Sequence, residues 1–249
     1  MSEQSLVKKV VNIIWVCLLI ICIGFAAFMF VLNYHEKGET NMPFTITKIS
    51  IISTVDGQDV ENQDNKWAIK AIQNNDIYIY IEKNKGYSEK ETLKSVKLDN
   101  FKIKENPKIG QIELYKPIND ELVLYKNLEE NKFEELVYTG TQASNMKNLE
   151  ISNQGGVVSF RCANNNIGTY LSNEDMEIKF SGLLEKLQLN EEDLKSIITC
   201  DISFYLDSDK IFKTENVEFK IPNEGLVNKG TVGIENTDLS HLVFKRVEK

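Results

Sequence analysis

The sequence predicts an all-β, sandwich-like domain that follows one N-terminal transmembrane helix. An uncharged apolar run near the N-terminus predicts the helix. From Phe44 onward, segments rich in β-branched and aromatic residues alternate between apolar and polar positions, which is typical of half-buried strands. Turn-forming residues separate these segments at intervals of about 8–12 residues, a spacing that favours sandwiches and barrels.

The predicted transmembrane helix covers residues 10–32, which carry no charge. As a helix, this run is about 35 Å long, while the hydrocarbon core of a bilayer is about 30 Å thick. A cleaved signal peptide is the alternative, but its apolar region is usually only about 7–15 residues long. The small pair Ala26 and Ala27 is followed by the bulky Phe28, which disfavours cleavage there. We therefore expect an uncleaved anchor.

The basic residues beside the anchor predict its orientation. Two lysines precede the run, and the positive-inside rule places such residues in the cytoplasm. Residues 1–9 are therefore expected to form a short cytoplasmic tail, residues 33–43 a juxtamembrane linker, and the following domain to lie outside the cytoplasmic membrane. The residues predicted to flank the membrane are Lys8, Lys9, Trp15 and Tyr34.

The composition restricts the class of partner. Residues 10–249 contain 27 basic and 36 acidic side chains, and this negative balance disfavours nucleic acid as a partner. Arg161 and Arg246 are the only arginines, whereas Lys, Asn and Ile are abundant. This composition is typical of AT-rich bacterial genomes. In general style, the chain resembles membrane-anchored proteins of low-GC Gram-positive bacteria.

The predicted strands follow one another with recognisable breaks. Gln73–Asn75 and Asn164–Asn166 are expected to form turns, and Asn153–Gly156 a hairpin turn. A short helical insertion is expected near residues 182–197, with Asn190 as an N-cap. The predicted strands are FTITKISIIS, KWAIKAI, DIYIYIE, LKSVKLDNFKIK, IGQIELY, LVLY, ELVYTG, NLEIS, VVSFRCA, TCDISFYLD, IFKTENVEFKI, TVGIE and HLVFKRV.

A repeated pattern suggests a duplication. Residues 76–82 (DIYIYIE) resemble residues 201–207 (DISFYLD), and each is followed by Phe-Lys-Ile and then by a proline. One interpretation is two similar β modules in tandem, at residues 44–140 and 146–249. The alternative is that alternating strands resemble one another in any β domain.

Four acidic residues form a candidate calcium site. Asp56, Asp59, Glu61 and Asp64 lie in the segment DGQDVENQD, which is expected to be a polar loop. Carboxylate-rich loops bind calcium, but the ligand spacing of an EF-hand is not met. A solvated loop is the alternative, so no cofactor is assigned.

Two cysteines fall in the domain, on predicted strands. The alternation of VVSFRC and TCDISFYL predicts that Cys162 and Cys200 both point toward the core. A disulfide between them is one option for an exported domain, and two buried free thiols are the other.

Tyrosines supply a candidate binding face. Tyr78 and Tyr80 alternate with isoleucines, and Tyr205 takes the matching place in the second copy of the pattern. Exposed tyrosines on a sheet bind sugars or proteins, whereas buried ones cover a central strand. Arg161 is expected on the face opposite Cys162, in an ion pair.

The sequence contains no motif for catalysis, zinc or nucleotide binding. It lacks HExxH, CxxC and GxSxG, and its two histidines, His35 and His241, lie far apart in the chain. We therefore expect a non-catalytic surface protein that binds another surface protein or a glycan. The alternatives are an accessory subunit of a membrane complex and a surface hydrolase that uses two carboxylates.

Overall fold

The structure is a computed structural model that describes residues 3–63, 66–87, 90–116, 132–139, 151–172 and 180–247. The chain forms two units, Met1–Thr40 and Asn41–Lys249. The predicted strand LVLY (residues 122–125), Asp64 and the predicted module junction at 140–146 lie outside the described residues.

The first unit is helix α1, Glu3–Lys37. Its stretch Val11–Met29 has a mean hydropathy of 2.7 and contains no buried residue, so by length and composition it is able to cross a membrane. The helix runs through residues 33–37, which were predicted as linker, because Glu36 and Lys37 are good helix formers that extend an established helix. It ends at Gly38, whose positive φ of 67° is a common helix terminator.

The second unit consists of two antiparallel sheets. Sheet A has the strand order β10-β1-β2-β7-β4, with β6 also paired to β7, and sheet B has the order β11-β9-β8-β3-β5. The strands are β1 Phe44–Gln63, β2 Lys66–Lys83, β3 Leu93–Glu105, β4 Gln111–Tyr115, β5 Leu136–Thr139, β6 Ile151–Ser152, β7 Gly155–Ser172, β8 Ile197–Leu206, β9 Ile211–Lys220, β10 Thr231–Asn236 and β11 Lys245–Val247.

The two sheets pack face to face around one apolar core, which confirms the predicted sandwich-like fold. Phe160 of β7 makes edge-to-face contacts with Phe101 of β3 and Phe219 of β9, at 5.2 and 5.5 Å between ring centroids. The Tyr138 hydroxyl of β5 also donates to the Ser159 carbonyl oxygen of β7, which ties sheet B to sheet A. Apolar packing and this buried hydrogen bond therefore help to hold the sheets together.

The tandem-module prediction does not match this topology. Residues 76–82 lie in β2, at the centre of sheet A, and residues 201–207 begin in β8, at the centre of sheet B. Each sheet takes strands from both halves of the chain, so the halves do not form separate modules. The repeated pattern arises because two central strands bury alternate residues in the same core.

Three polar segments that were predicted as turns or loops lie inside strands. Residues 73–75 continue β2, residues 164–166 continue β7, and residues 56–63 continue β1. The Asn75 amide accepts from Ser53 at 2.5 Å and donates to the Cys162 carbonyl oxygen at 2.8 Å. Because these amides find partners on neighbouring strands, tertiary contacts override their turn preference.

The predicted hairpin turn forms between β6 and β7. Gly155 has φ +115°, and a Cβ there would lie 2.4 Å from the Ile81 carbonyl oxygen. The close approach of the neighbouring strand therefore requires a glycine at this position.

The predicted helical insertion closes one end of the sandwich. Helix α2 spans Phe180–Lys186, and helix α3 spans Leu226–Lys229. The segment after Asn190 forms only one 3-10 turn, Glu191–Asp193, rather than the longer helix predicted. Leu183 and Leu184 of α2 pack with β1 in a second apolar cluster, whose buried members are Val55, Ala71, Ile167, Leu183, Leu184, Leu194 and Leu226.

Candidate binding cleft

A cleft opens at one side of the sandwich, between the edge strand β10 of sheet A and the part of β9 in sheet B that β11 does not cover. Its volume is about 450 Å³, which is in the range of natural ligand sites. The residues that line it come from β1, β10, β9 and the segment that follows β10: Ile49, Ile51, Asn216, Glu218, Lys220, Ile234, Asn236 and His241.

The cleft has an apolar floor. Ile49 and Ile51 of β1 lie opposite Asn236 and Ile234 of β10 in the antiparallel register, so these side chains share one face of sheet A. Ile49 and Ile51 also belong to the core, whereas Ile234 is 42% exposed. The core therefore continues into the cleft, and part of it stays uncovered.

The edge of β9 forms one wall of the cleft. The Ile221 N–H donates to the Ser196 carbonyl oxygen at 3.1 Å, so the backbone groups of Ile221 point toward sheet B. Backbone groups of successive strand residues point to opposite edges, and those of Lys220 and Glu218 therefore point away from β8. In the described part of the chain, β11 pairs with β9 only up to Lys213, so this edge stays open.

Charged side chains lie at and beside the cleft, and Glu218, which lines it, is engaged in an ion pair. The Lys104 ammonium beside Glu218 holds the pKa of that carboxyl below its ordinary value. Glu235 of β10 lies 2.8 Å from the Lys48 ammonium. Among the described residues, Lys220 has no such ion pair.

The segment between β10 and β11 carries His241, which lines the cleft. Leu239 and Leu242 of this segment pack against the core, and Phe244 stacks on Phe204 with 5.0 Å between ring centroids. These anchors hold the exposed His241 at the cleft. His241 was expected to begin the last strand, but that strand begins at Lys245.

The three tyrosines of the predicted binding face do not lie together. Tyr78 and Tyr80 lie on the outer face of sheet A, since Ile77 and Ile79 between them point into the core. Tyr205 belongs to β8 of sheet B, on the opposite side of the sandwich. All three are half-buried, and the Lys48 ammonium lies 4.3 Å from the centroid of the Tyr80 ring.

Arg161 lies beside these tyrosines in an ion pair, as expected. Its guanidinium donates two hydrogen bonds to the Asp76 carboxylate, at 2.7 and 2.8 Å. Burial and the neighbouring Asp76 raise the pKa of Tyr78, so this hydroxyl is neutral at ordinary pH.

Cys162 and Cys200 point into the core, as their positions in the strands predict, and both are fully buried. Both are free thiols, so the disulfide predicted as one option is not formed. They lie on different sheets, in β7 and β8. Burial raises the pKa of both thiols well above the ordinary value, which makes them unreactive.

The candidate calcium residues occupy a strand rather than a loop. Asp56 lies in β1 and accepts a hydrogen bond from the Asn74 amide of β2. Asp59 and Glu61 also lie within β1, but their side chains and Asp64 are outside the described part of the chain. No group of three or more His, Cys, Asp or Glu side chains fit to hold a metal ion occurs among the described residues. Calcium binding here stays a prediction.

The residues predicted to flank the membrane fall on helix α1. Lys8 is exposed, and Trp15 is 68% exposed within the apolar stretch. The side chains of Lys9 and Tyr34 lie outside the described part. A tryptophan near the end of an apolar span is typical of the membrane interface.

No family model, curated protein or solved structure matches this chain. The cleft is therefore defined by geometry alone. Sequence analysis missed it because Ile49, Ile51 and Ile234 have the alternation of ordinary core residues. One signal was present: TVGIE is a short strand that contains a glycine and a charge, which is typical of a sheet edge.

Proposed function

We propose that this chain is a membrane-anchored binding or accessory protein, which displays its β-sandwich outside the cytoplasm and engages a partner through the cleft. Helix α1 holds the domain at the bilayer, and Lys8 and Lys9 favour a cytoplasmic N-terminus. The partner is a surface protein rather than nucleic acid, since the domain is acidic.

The cleft is the observation that carries this proposal. It combines an apolar floor with open backbone groups and polar side chains at its rim, which is the usual arrangement of a recognition site. The Tyr78 and Tyr80 face is less suited to recognition, because both rings are half-buried among neighbouring side chains.

Several groups that would serve catalysis have structural roles, which favours binding over hydrolysis. Cys162 and Cys200 are protonated and buried. Asp76 is occupied by Arg161, and Asp201 accepts hydrogen bonds from Lys213 and the Asn216 N–H. A carboxylate held by several donors is a poor general acid at neutral pH.

Site-specific crosslinking in cells tests this function. A photo-crosslinking amino acid is placed in the full-length chain in turn at His241 in the cleft, at Tyr80 on the outer face of sheet A, and at the exposed Ser208 in the β8–β9 turn. We expect one protein to be captured from position 241 at high yield, and little from position 208.

The other outcomes identify the alternatives. Capture from position 80 alone would move recognition to the tyrosine face. Capture from none of these three positions but from a further crosslinker placed within α1 would indicate an accessory subunit that uses its membrane helix. No specific capture from any of these positions would contradict the proposal.

A further inference from the structure

We propose that the cleft binds an extended polypeptide strand, which pairs with the open edge of β9 and buries its apolar side chains against Ile49, Ile51 and Ile234. This inference rests on the proposed function and specifies the partner segment. The segment belongs to another protein, carries apolar residues at alternate positions, and has a carboxylate where it passes Lys220.

The open edge of β9 provides the hydrogen bonds. The backbone groups of Glu218 and Lys220 point into the cleft, as the Ile221 hydrogen bond to Ser196 requires. Within the described residues, no strand pairs with them. An added strand satisfies both residues through the ordinary antiparallel or parallel ladder, which is how exposed edges bind peptides.

The apolar floor selects the side chains. A strand that extends sheet B at β9 places every second side chain toward sheet A. There it meets Ile234, which is 42% exposed, together with Ile49 and Ile51. Burial of β-branched or aromatic side chains on this floor completes the sandwich at the side where its core is uncovered.

Charge defines the residues on the other face of the added strand. Glu218 and Lys220 lie on the outer face of β9, on the side away from Val217 and Phe219. Glu218 is already paired with Lys104, whereas Lys220 has no ion pair among the described residues. Opposite charges on adjacent strands attract each other, so a Glu or Asp is favoured beside Lys220.

A second copy of this chain is a less suitable occupant. The first 40 residues hold three acidic and three basic side chains, so the domain carries the whole net charge of −8. Two such domains repel each other at low ionic strength. We therefore assign the cleft to a different polypeptide.

Synthetic peptides test this assignment. The probes are blocked nonapeptides in which Val alternates with Thr, with one central Thr replaced by Glu in one peptide and by Lys in a second. Binding to the soluble domain, residues 41–249, is measured by fluorescence anisotropy. Hydrogen exchange of the Glu218 and Lys220 amides is followed in parallel.

We expect the Glu peptide to bind, and to slow the exchange of both amides at least tenfold. Ile234→Lys places a charge on the floor, and it should weaken binding at least tenfold. Val137→Lys, at another exposed apolar position, on β5, is the matched control and should bind within twofold of the wild type. Lys220→Glu should reverse the preference between the Glu and Lys peptides.

Three results would overturn the inference. These are failure of both peptides to bind, equal binding to Ile234→Lys, and slowed exchange at amides other than those of the β9 edge. A peptide-free domain that dimerises with the Glu218 and Lys220 amides protected would assign the cleft to a second copy instead.

Failure of the peptides to bind, combined with capture of a protein from position 241, would overturn strand binding but keep the proposed function. Peptide binding without capture in cells would support strand binding but overturn the proposed function.

Discussion

Asp201 joins three strands of sheet B through one carboxylate. It is almost fully buried and lies 2.8 Å from the Lys213 ammonium. It also accepts from the Asn216 N–H at 2.9 Å and from the Asn100 amide at 3.1 Å. Asn100 and Asn216 have φ of 53° and 54°, a left-handed conformation that asparagine tolerates at β-bulges. A bulge on β3 and a bulge on β9 thus meet at the same carboxylate.

Replacement of Asp201 should make stability depend less on pH. Burial alone would raise the pKa of Asp201, but hydrogen bonds from Lys213, Asn216 and Asn100 outweigh it and lower that pKa. The carboxylate of Asp201 therefore binds a proton more readily in the unfolded chain than in the folded one. Its stabilisation of the fold is complete above the unfolded pKa of about 3.9, and it is lost as pH falls through the lower pKa of the folded state. At pH 7, Asp201→Asn should lower the free energy of unfolding by about 1–3 kcal/mol.

Urea unfolding of the domain at a series of pH values measures this effect. The difference between the wild type and Asp201→Asn should shrink below pH of about 4. Glu192→Gln, at an exposed carboxylate, serves as the control and should change little. A difference that is the same at pH 7 and at pH 3 would show that Asp201 does not stabilise the fold as a charged group.

At the scale of elements, the alternation of side chains predicted most of the strands. Leu93–Glu105 and Ile211–Lys220 form where the pattern places them, because each has one face on the core. Sequence reasoning failed at Gln73–Asn75 and at Asn164–Asn166, where turn-forming residues lie within long strands. The Asn75 and Asn164 amides donate to the Cys162 and Ile109 carbonyl oxygens, which are distant in sequence, and no local rule contains that information.

The end of the sandwich at which α2 and α3 lie, here called the helical end, is expected to unfold locally in part independently of the main core. Leu184 of α2 is fully buried in the second apolar cluster, which lies between the helices and the far part of the β1–β2 hairpin. Leu184→Ala should lower the free energy of unfolding by about 2–4 kcal/mol, because it leaves a cavity. Hydrogen exchange should accelerate more at Val55 and Ala71 than at Ile77 and Ile79 in the main core.

Glu185→Ala changes the adjacent, exposed residue of α2 and is the control for helix propensity. It should leave both exchange rates nearly unchanged. If Leu184→Ala accelerated exchange equally in the two regions, the helical end and the main core would form one cooperative unit.

At the scale of the whole molecule, the sequence predicted the N-terminal apolar helix and the sandwich-like β fold, but the order of the strands only in part. The apolar run and the sandwich-like class follow from length, charge and alternation, which are local properties. The interleaving of strands from both halves and the cleft between two sheet edges depend on pairing between distant segments. The similarity of residues 76–82 and 201–207 therefore indicated a shared environment rather than two modules.

Labelling of single cysteines determines whether one helix anchors this domain on the outer side of a membrane, as we propose. In a full-length chain with Cys17→Ser and Cys22→Ser, the buried Cys162 and Cys200 should not react with a maleimide while the domain is folded. Two further variants then show on which side of the membrane each segment lies. They are Ser208→Cys in the exposed β8–β9 turn and Ser5→Cys in the predicted cytoplasmic tail. We expect a membrane-impermeant maleimide to label position 208 in intact cells, and position 5 only after the cells are permeabilised. Labelling of position 5 but not position 208 in intact cells would reverse the topology and contradict the account.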